Sequence, residues 1–277
     1  MRSTAALPWT LVALTASAAL ALLWLAPLLW AASTALRPEH ETVSAVFHWL
    51  PQTWTLDAFA KVFAAGSLPR WLFNSALVAL LVTMLTMAVS ITAAYAFSQM
   101  TFRGKRWLFA LSMIAFMLPF ESLIVPLFRL MNQLRLIDTY AGIVLPQLVS
   151  PVTIYVFKQF FDAVPGDFRD AAVMDGASPW QVLRYVYLPV SGNIVWAMSI
   201  VVFIGAWNNF LWPFIVITSS EMMTIPLGLT QTQDAFGVRY AQMMAAALLG
   251  GMPVALAYVL FQRRVTEGML AATGLKG

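Results

Sequence analysis

The chain has no cysteine, only two histidines and few charged residues. The lack of cysteine excludes disulfides, thiol catalysis and cysteine metal sites. His40 and His48 fall in one polar segment and no matching ligand cluster accompanies them, so we predict no metal site. Charged residues make up 10% of the sequence and hydrophobic residues 61%, whereas soluble domains have about 25% charged residues. These proportions predict an integral membrane protein.

Catalytic motifs are also missing. The chain has no Gly-x-x-x-x-Gly-Lys-Ser/Thr phosphate loop, because Gly104-Lys105 is followed by Arg106 and lacks the rest of that motif. No Ser/His/Asp set or metal set indicates an active site near a membrane face. We therefore predict that the chain is not an enzyme and has no catalytic residue. Its 16 basic residues are spread over loops, which argues against nucleic acid binding.

The hydrophobic residues form long segments that predict an all-α membrane protein with six transmembrane helices in one domain, residues 1–277. The first segment exceeds the roughly 7–15 apolar residues of a cleaved signal peptide, so we expect it to remain as a span. Pro119 and Pro126 are expected to bend the third span, because each removes a backbone donor. The predicted spans cover residues 8–33, 71–97, 107–131, 140–161, 194–217 and 242–261.

Basic residues predict the orientation, since they collect in short cytoplasmic loops. Placing the N-terminus inside puts most of them in the cytoplasm, together with both termini and the polar segment between the fourth and fifth spans. The basic residues on that side are Arg103, Lys105, Arg106, Lys158, Arg169, Arg184, Arg263, Arg264 and Lys276.

The longest polar interruption in the second half of the chain, residues 165–189, predicts two short helices joined by a glycine hinge. Asp167 can cap the first helix, and Gly176 can end it, because glycine adopts the left-handed conformation that a helix end commonly needs. Ser178 can cap the second helix, with Gln181 completing a capping box. Each helix covers about ten residues and a span needs about twenty, so both helices should lie outside the membrane.

The second short helix has an apolar face and an expected end. Trp180, Leu183 and Tyr187 recur at helical spacing, which suits packing against membrane-embedded neighbours or a partner. Pro189 is expected to end the helix because it lacks a backbone donor. These features leave two interpretations open, a capped linker between two spans or a surface where another protein approaches closely.

Residues 170–181 read Asp-Ala-Ala-Val-Met-Asp-Gly-Ala-Ser-Pro-Trp-Gln and are followed by Leu188-Pro189. This string resembles the coupling loop of permease subunits of ATP-binding-cassette importers, which carry Glu-Ala-Ala (the EAA motif), then Asp-Gly-Ala, then Leu-Pro. Asp170 departs from that pattern, since it puts a shorter carboxylate where the family usually has Glu. The resemblance implies a cytoplasmic helix-turn-helix that docks an ATPase. The implied coupling residues are Asp170, Ala171, Ala172, Asp175, Gly176, Ala177, Leu188 and Pro189.

Further motifs extend over most of the chain. They are Trp54-Thr-Leu-Asp-Ala-Phe, Arg70-Trp-Leu-Phe-Asn-Ser, Leu118-Pro119 with Pro126-Leu-Phe, Asp138-Thr-Tyr-Ala-Gly, Trp207-Asn-Asn-Phe-Leu-Trp-Pro and the Gly268 to Gly277 region. These motifs look like those of carbohydrate importers, and the chain is similar to the second permease of the maltose and glycerol-3-phosphate type systems. The resemblance implies a bacterial inner-membrane subunit that pairs with a different permease, docks two ATPase subunits and accepts substrate from an extracytoplasmic binding protein. It implies no cofactor on this chain, with ATP and Mg on the ATPase.

Residues inside the predicted spans are candidates for the substrate path. Glu121 costs about 2.5–3.5 kcal/mol within a span on insertion scales, and such residues usually face an interior or a cavity. Asn208 and Asn209 can hydrogen-bond to hydroxyls, and Trp207 could stack on a sugar ring. Each has a structural alternative, because polar side chains also join helices in lipid and tryptophans also mark the interface. Helix packing is the favoured interpretation for Asn74, Ser75 and Gln242.

Hydropathy alone leaves other classes open. A secondary transporter would need coupling carboxylates within its spans, of which Glu121 is the only clear one, and the chain has no obvious inverted repeat. A membrane-embedded enzyme would need a catalytic cluster. We therefore predict a permease that moves a sugar or related polyol, with an importer permease for another kind of solute as the main alternative.

Overall fold

The computed structural model describes residues 6–44, 46, 48–64, 67–231 and 238–272, and these ranges contain helices and no strand. The all-helical prediction is confirmed. Lys276 and the rest of residues 273–277 lie outside the described part of the chain. The helices are α1 (Ala6–Ala35), α2 (Glu39–Thr42), α3 (Asp57–Ala64), α4 (Ser67–Gln99), α5 (Lys105–Phe116), α6 (Phe120–Gln133), α7 (Tyr140–Val144), α8 (Pro151–Asp162), α9 (Gly166–Met174), α10 (Pro179–Val182), α11 (Leu188–Val190), α12 (Gly192–Trp207), α13 (Leu211–Val216), α14 (Ile225–Gly228) and α15 (Tyr240–Ala272).

Three helices within the described ranges are individually long and apolar enough to cross a membrane, namely α1, α4 and α15. They contain 30, 33 and 33 residues, whereas a bilayer requires about 20. These helices overlap the first, second and sixth predicted spans. The chain is therefore a multi-pass membrane protein.

Three further apolar stretches are bent helix pairs. The axes of α5 and α6 differ by 102°, those of Tyr140–Gln147 and α8 by 48°, and those of Pro179–Val190 and α12 by 84°. If each pair is one span, the described residues contain up to six crossings. The first bend falls at Pro119, as predicted, where the backbone is extended just before α6. Pro126 was expected to add a bend, but it lies inside α6 without interrupting it.

The fifth predicted span, residues 194–217, contains an interruption that the sequence analysis did not predict. Helix α12 ends at Trp207 and α13 begins at Leu211. Pro213 explains the break, because its ring would clash with the carbonyl four residues earlier, at Asn209, in a continuous helix. Asn208 caps the end of α12, and its Nδ2 donates a hydrogen bond to the carbonyl of Ile204 at 3.0 Å.

The described residues divide into two compact units. The first unit comprises the residues up to Leu68 together with Leu229 to Gly251, and the second comprises Pro69 to Gly228 together with the residues from Met252 onward. The candidate coupling loop and substrate-path residues all belong to the second unit.

In the first unit, a buried arginine fixes the chain that follows α1. Arg37 is 6% exposed, and its guanidinium lies 5.0 Å from the centre of the Trp30 ring. Its Nη2 donates hydrogen bonds to Ser33 Oγ at 2.9 Å and to the His48 carbonyl at 2.5 Å. These contacts hold residues after the turn against the end of α1, so the buried charge is stabilised by hydrogen bonds and by the aromatic ring.

In the second unit, α4 runs through two packed clusters. Near the end of α4, Ile91 and Tyr95 pack with Phe157 and Phe161 of α8. Towards its beginning, the other cluster joins α4 to α6, α7 and α13 through Val78, Val82, Met131, Ile143, Val144, Trp212 and Val216. Small buried residues along α4 favour close approach, which matters in lipid because helix association depends on packing and hydrogen bonds rather than on burial from water. Helix α4 thus connects the two ends of this unit.

Candidate functional sites

The hinge between the two short helices of residues 165–189 has the predicted left-handed glycine. Gly176 has φ of 82°, and no heavy atom lies within 4 Å of the position that a side chain would take. The N–H of Gly176 donates to the Val173 carbonyl and that of Ala177 donates to the Ala172 carbonyl, each at 3.0 Å. This pair of hydrogen bonds is the Schellman motif, which satisfies the last carbonyls of α9.

The two short helices begin differently from one another. Helix α9 begins at Gly166 after Pro165, so Asp167 lies in its first turn and does not cap it, contrary to the prediction. The carboxylate still lies at the positive end of the helix dipole. The second helix has the predicted capping box, in which the Ser178 N–H donates to Gln181 Oε1 at 2.7 Å and the Gln181 N–H donates to Ser178 Oγ at 3.4 Å. Its start is therefore fixed locally.

The middle of the second helix is π-helical, from Leu183 to Tyr187. The N–H of Leu188 donates to the Leu183 carbonyl, five residues earlier. Pro189 was expected to end this helix, but the helical backbone continues to Val190. The wider turn accommodates the proline, since a π-bulge relaxes the hydrogen-bond pattern where the proline has no donor.

The apolar side of this second helix packs into the unit through two of the three predicted residues. Leu183 and Tyr187 are buried, and the Tyr187 ring centre lies 5.3 Å from that of Phe161 and 5.4 Å from that of Tyr95. Trp180 was expected on the same face, yet it is 58% exposed. The helix is thus anchored on α4 and α8 by Leu183 and Tyr187, and Trp180 lies on its outer surface.

The outer surface of the loop carries the coupling residues implied by the resemblance. Asp170, Ala171, Asp175, Gly176 and Pro189 are exposed, whereas Ala172, Ala177 and Leu188 are half-buried against the core cluster. The carboxylates of Asp170 and Asp175 make no hydrogen bond or ion pair with any residue that the structure describes. Met174, at the end of α9, is 88% exposed. The loop therefore presents two unpaired carboxylates and small side chains on a rigid base.

The candidate residues of the substrate path fall at helix breaks. Glu121 lies in the first turn of α6, directly after the bend at Pro119, and is exposed. Asn208 is exposed at the end of α12. Asn209 joins two breaks, because its Nδ2 donates to Gln147 Oε1 at 2.7 Å between α7 and α8. Polar groups at such breaks remain available to water or to solute, and irregular backbone at membrane depth occurs only within protein or along a cavity.

Trp207 is the last residue of α12 and lies at the same break, but it is buried. Its side chain is 3% exposed, and its ring centre lies 5.8 Å from that of Phe203. A ring covered by other protein atoms has no free face for a sugar. The structure therefore supports its packing alternative rather than the predicted stacking role.

A cluster of hydrogen bonds at the beginning of α4 was not predicted as a site. We call it the polar joint, and it comprises Asn74, Ser75, Asp138, Tyr140 and residues 218–225. Asn74 is fully buried, and its Nδ2 donates to the carbonyls of Glu221 and Met223 at 2.7 and 2.8 Å. Its Oδ1 accepts from the Tyr140 hydroxyl at 2.7 Å, and Ser75 Oγ accepts from the Ile225 N–H at 2.7 Å. The packing interpretation of Asn74 and Ser75 agrees with these contacts.

Asp138 completes the polar joint. Its Oδ1 accepts from the N–H groups of Thr218 and Ser219 and from Ser219 Oγ, each at 3.0 Å. Burial alone would raise the pKa of Asp138, but the hydrogen bonds from Ser219 and Thr218 hold that pKa below its ordinary value. Asp138 is thus stabilised as a carboxylate that fixes the chain after α13.

The glycine that follows Asp138 in the Asp-Thr-Tyr-Ala-Gly motif is needed for close packing. A side chain at Gly142 would overlap the carbonyl of Leu136. The carbonyl of Gly142 accepts a hydrogen bond from Trp212 Nε1 at 3.0 Å, and Trp212 is fully buried. Three of the motifs quoted above therefore meet in or beside the polar joint, although they are far apart in sequence.

The chain matches, over residues 87–267, the family described as binding-protein-dependent transport system inner membrane component. This match, which covers more than half of the chain, defines a membrane-embedded transport subunit. The chain belongs to this family.

The chain is also similar to individual transport permeases over about three quarters or more of its length. The chain is 35% identical to the arabinooligosaccharides transport system permease protein AraQ of Halalkalibacterium halodurans over 82% of this chain and 81% of that protein. It is 35% identical to the lactose transport system permease protein LacG of Rhizobium radiobacter over 78% of this chain and 79% of that protein. It is 34% identical to the sn-glycerol-3-phosphate transport system permease protein UgpE of Agrobacterium fabrum over 74% of this chain and 73% of that protein.

A solved structure has the same fold. A chain in the crystal structure of a bacterial ABC transporter involved in the import of the acidic polysaccharide alginate superposes with a TM-score of 0.83, at 19% identity, over 95% of this chain and 98% of that one. At this identity the similarity establishes the fold alone.

Proposed function

We propose that this chain is one permease subunit of an ATP-driven importer and moves a sugar or related polyol across the inner membrane. The observation that carries the proposal is the exposed loop of residues 165–189, which has unpaired carboxylates and small side chains on a buried aromatic base. A linker would need no such surface. The names of the relatives, which include permeases for arabino-oligosaccharides, lactose and glycerol-3-phosphate, support the carbohydrate class.

The ATPase is proposed to dock on this loop from the cytoplasm. The residues of contact are Asp170, Ala171, Ala172, Asp175, Gly176, Ala177, Leu188 and Pro189. Because Leu183 and Tyr187 anchor the loop to α4 and α8, movement of a docked ATPase would displace these helices as a rigid body. ATP and Mg would be held by the ATPase, since the sequence has no phosphate loop.

The substrate path is proposed to follow the helix breaks. Glu121, Asn208 and Asn209 supply acceptors and donors suited to hydroxyl groups, and breaks in membrane helices commonly mark substrate sites. Trp207 is not included because it is buried. A second, different permease would supply the facing half of the path, and an extracytoplasmic binding protein would deliver the substrate. Both termini are proposed to be cytoplasmic.

The test compares two glycines with the same backbone conformation. Gly176 and Gly104 have φ of 82° and 83°, and neither has a heavy atom within 4 Å of the position of an added side chain. Replacing either with leucine therefore introduces similar strain. We expect Gly176→Leu to lower substrate uptake and substrate-stimulated ATPase activity in membranes at least about tenfold, because the leucine would obstruct the docked ATPase. Gly104→Leu should retain most of both activities.

Assembly of the complex is measured in the same membranes by co-purification of the subunits. Normal uptake by an assembled Gly176→Leu transporter would overturn the docking proposal. Equal losses in both variants would assign the effect to backbone strain instead, and would also contradict it.

A further inference from the structure

A cleft of about 360 Å³ lies between the end of α4, the beginning of α5 and the end of α8. Lys105, Arg106 and Lys158 line it together with a single carboxylate, Asp162. The rings of Phe97 and Phe109 also line it. We call this site the basic cleft. Its excess of positive charge over apolar walls is suited to an anion that carries an apolar part.

The one carboxylate of the cleft is already neutralised within the chain. Asp162 accepts hydrogen bonds from Lys158 Nζ and from Ser98 Oγ, each at 2.6 Å. The Lys158 ammonium also lies 5.1 Å from the centre of the Phe109 ring. Asp162 is thus paired with Lys158, and the other two cations of the cleft form no ion pair with the residues that the structure describes.

Those two cations retain donors for a ligand. Lys105 Nζ donates to the carbonyls of Ser98 and Met100 at 3.0 and 2.9 Å, which uses two of the three donors of an ammonium group. Arg106 is exposed, and its side chain has no hydrogen bond or ion pair with the residues that the structure describes. A guanidinium of this kind can bind a phosphate through two parallel hydrogen bonds.

Helix α5 also carries exposed apolar side chains on the side of the helix turned away from Lys105 and Phe109. Trp107, Leu108 and Leu111 are all exposed. Tryptophan next to basic residues is typical of the boundary between lipid headgroups and acyl chains. We therefore expect the beginning of α5 at this boundary. A soluble anion would make no use of the phenylalanine rings of the cleft, whereas the apolar part of a lipid would cover them.

We propose that the basic cleft binds the phosphate group of an anionic phospholipid. Arg106 and Lys105 contact the phosphate, and the acyl chains pack first against Phe97 and Phe109, which line the cleft. The proposal goes beyond the transport function and uses only the proposed cytoplasmic placement of the turn between α4 and α5. Anionic lipids give that leaflet its negative surface potential, and each nearby basic residue contributes measurably to their attraction.

The test uses native mass spectrometry of the purified full-length chain, after removal of its native lipid. Phosphatidylglycerol and phosphatidylcholine with the same acyl chains are added separately. We expect retention of phosphatidylglycerol over phosphatidylcholine, and a reduction of about fivefold in bound phosphatidylglycerol for Arg106→Gln, the effect expected for one cation near an anionic surface. Arg103→Gln is the matched control, because Arg103 lies in the same turn but does not line the cleft, and it should change binding less than about twofold.

Three further experiments distinguish a phospholipid from other ligands of the basic cleft. Arg106→Lys keeps the charge and should keep the lipid preference, which separates the proposal from a folding defect in Arg106→Gln. If inorganic phosphate alone displaces phosphatidylglycerol, the ligand is a soluble phosphate and the lipid proposal is wrong. Loss of phosphatidylglycerol when the ATPase subunits are added would assign the cleft to a protein partner and would also overturn it, as would equal binding of the two lipids.

Discussion

The two ends of α4 carry polar groups that are used in opposite ways. At its beginning, in the polar joint, Asn74 and Asp138 direct their side chains to backbone groups of the same chain. Near its end, the loop of residues 165–189 leaves the carboxylates of Asp170 and Asp175 without partners among the described residues. Both regions carry motifs that resemble those of the same family.

This difference indicates that one group of motif residues stabilises the fold and the other contacts another molecule. Buried polar groups must be hydrogen-bonded, because leaving them unsatisfied is costly, so the polar joint stabilises the fold. An exposed carboxylate with no partner contributes little to the stability of its own chain, so its position is explained by contact with another molecule. We therefore expect substitutions in the polar joint to lower stability and substitutions in the loop to lower coupling.

The largest loss of stability is expected for Gly142→Ala, at the edge of the polar joint. The added methyl group would overlap the Leu136 carbonyl, and overpacking of this kind costs about 1–3 kcal/mol or more. We expect failure to accumulate in the membrane or a strongly lowered melting temperature in detergent. Gly205→Ala is the control, because nothing lies within 4 Å of an added side chain there, and it should melt at or above the temperature of the unmodified protein. Equal melting of the two variants would contradict the packing account.

A smaller loss of stability is expected for Asn74→Ala. This change removes the donors to the Glu221 and Met223 carbonyls and the acceptor for the Tyr140 hydroxyl. Leaving such a buried group unpaired costs about 1–3 kcal/mol. We expect a lower melting temperature, with substrate-stimulated ATPase activity retained in the folded fraction. Asn193→Ala, at an exposed position of α12, should leave the melting temperature unchanged. A stable Asn74→Ala variant with lost coupling would reverse the assignment of the two regions.

The smallest effect is expected for Asp138→Asn, and it depends on pH. Since the pKa of Asp138 is lowered in the folded state, its ionised form adds stability above its unfolded pKa of about 3.9, and this stability is lost as pH falls through the folded value. The variant should be less stable than the unmodified protein by about 1 kcal/mol at neutral pH, and the difference should disappear in acid. Chemical unfolding across this pH range measures it. Asp175→Asn, which alters an exposed carboxylate, is the control and should leave the free energy of unfolding at neutral pH unchanged.

Local features of the sequence predicted the local geometry well. The glycine hinge at Gly176, the capping box of Ser178 and the bend at Pro119 each depend on a few neighbouring residues, and all three are present. The cap assigned to Asp167 was wrong by two residues, since Pro165 is the N-cap and α9 begins at Gly166. Pro213 would have indicated the break near Asn209, because proline interferes with the carbonyl four residues before it.

Long-range contacts were beyond the sequence analysis. The hydrogen bond between Asn74 and Glu221 joins residues 147 positions apart, and no periodicity indicates such a pair. The exposure of Trp180 on the second short helix has a different reason. Val182 and Leu183 are both buried, and with 3.6 residues in each turn the centre of the buried face therefore lies away from Trp180.

The central claim is that the exposed loop of residues 165–189 is a docking surface for the ATPase. The natural absence of cysteine allows a direct measurement, in which Ala171→Cys, Asp175→Cys and the control Arg103→Cys are labelled with a membrane-impermeant maleimide in inside-out vesicles. We predict that both loop cysteines react in the permease alone and are protected when the ATPase subunits are present, whereas the cysteine at position 103 reacts in both cases. Equal labelling of the loop cysteines with and without the ATPase subunits would contradict the claim.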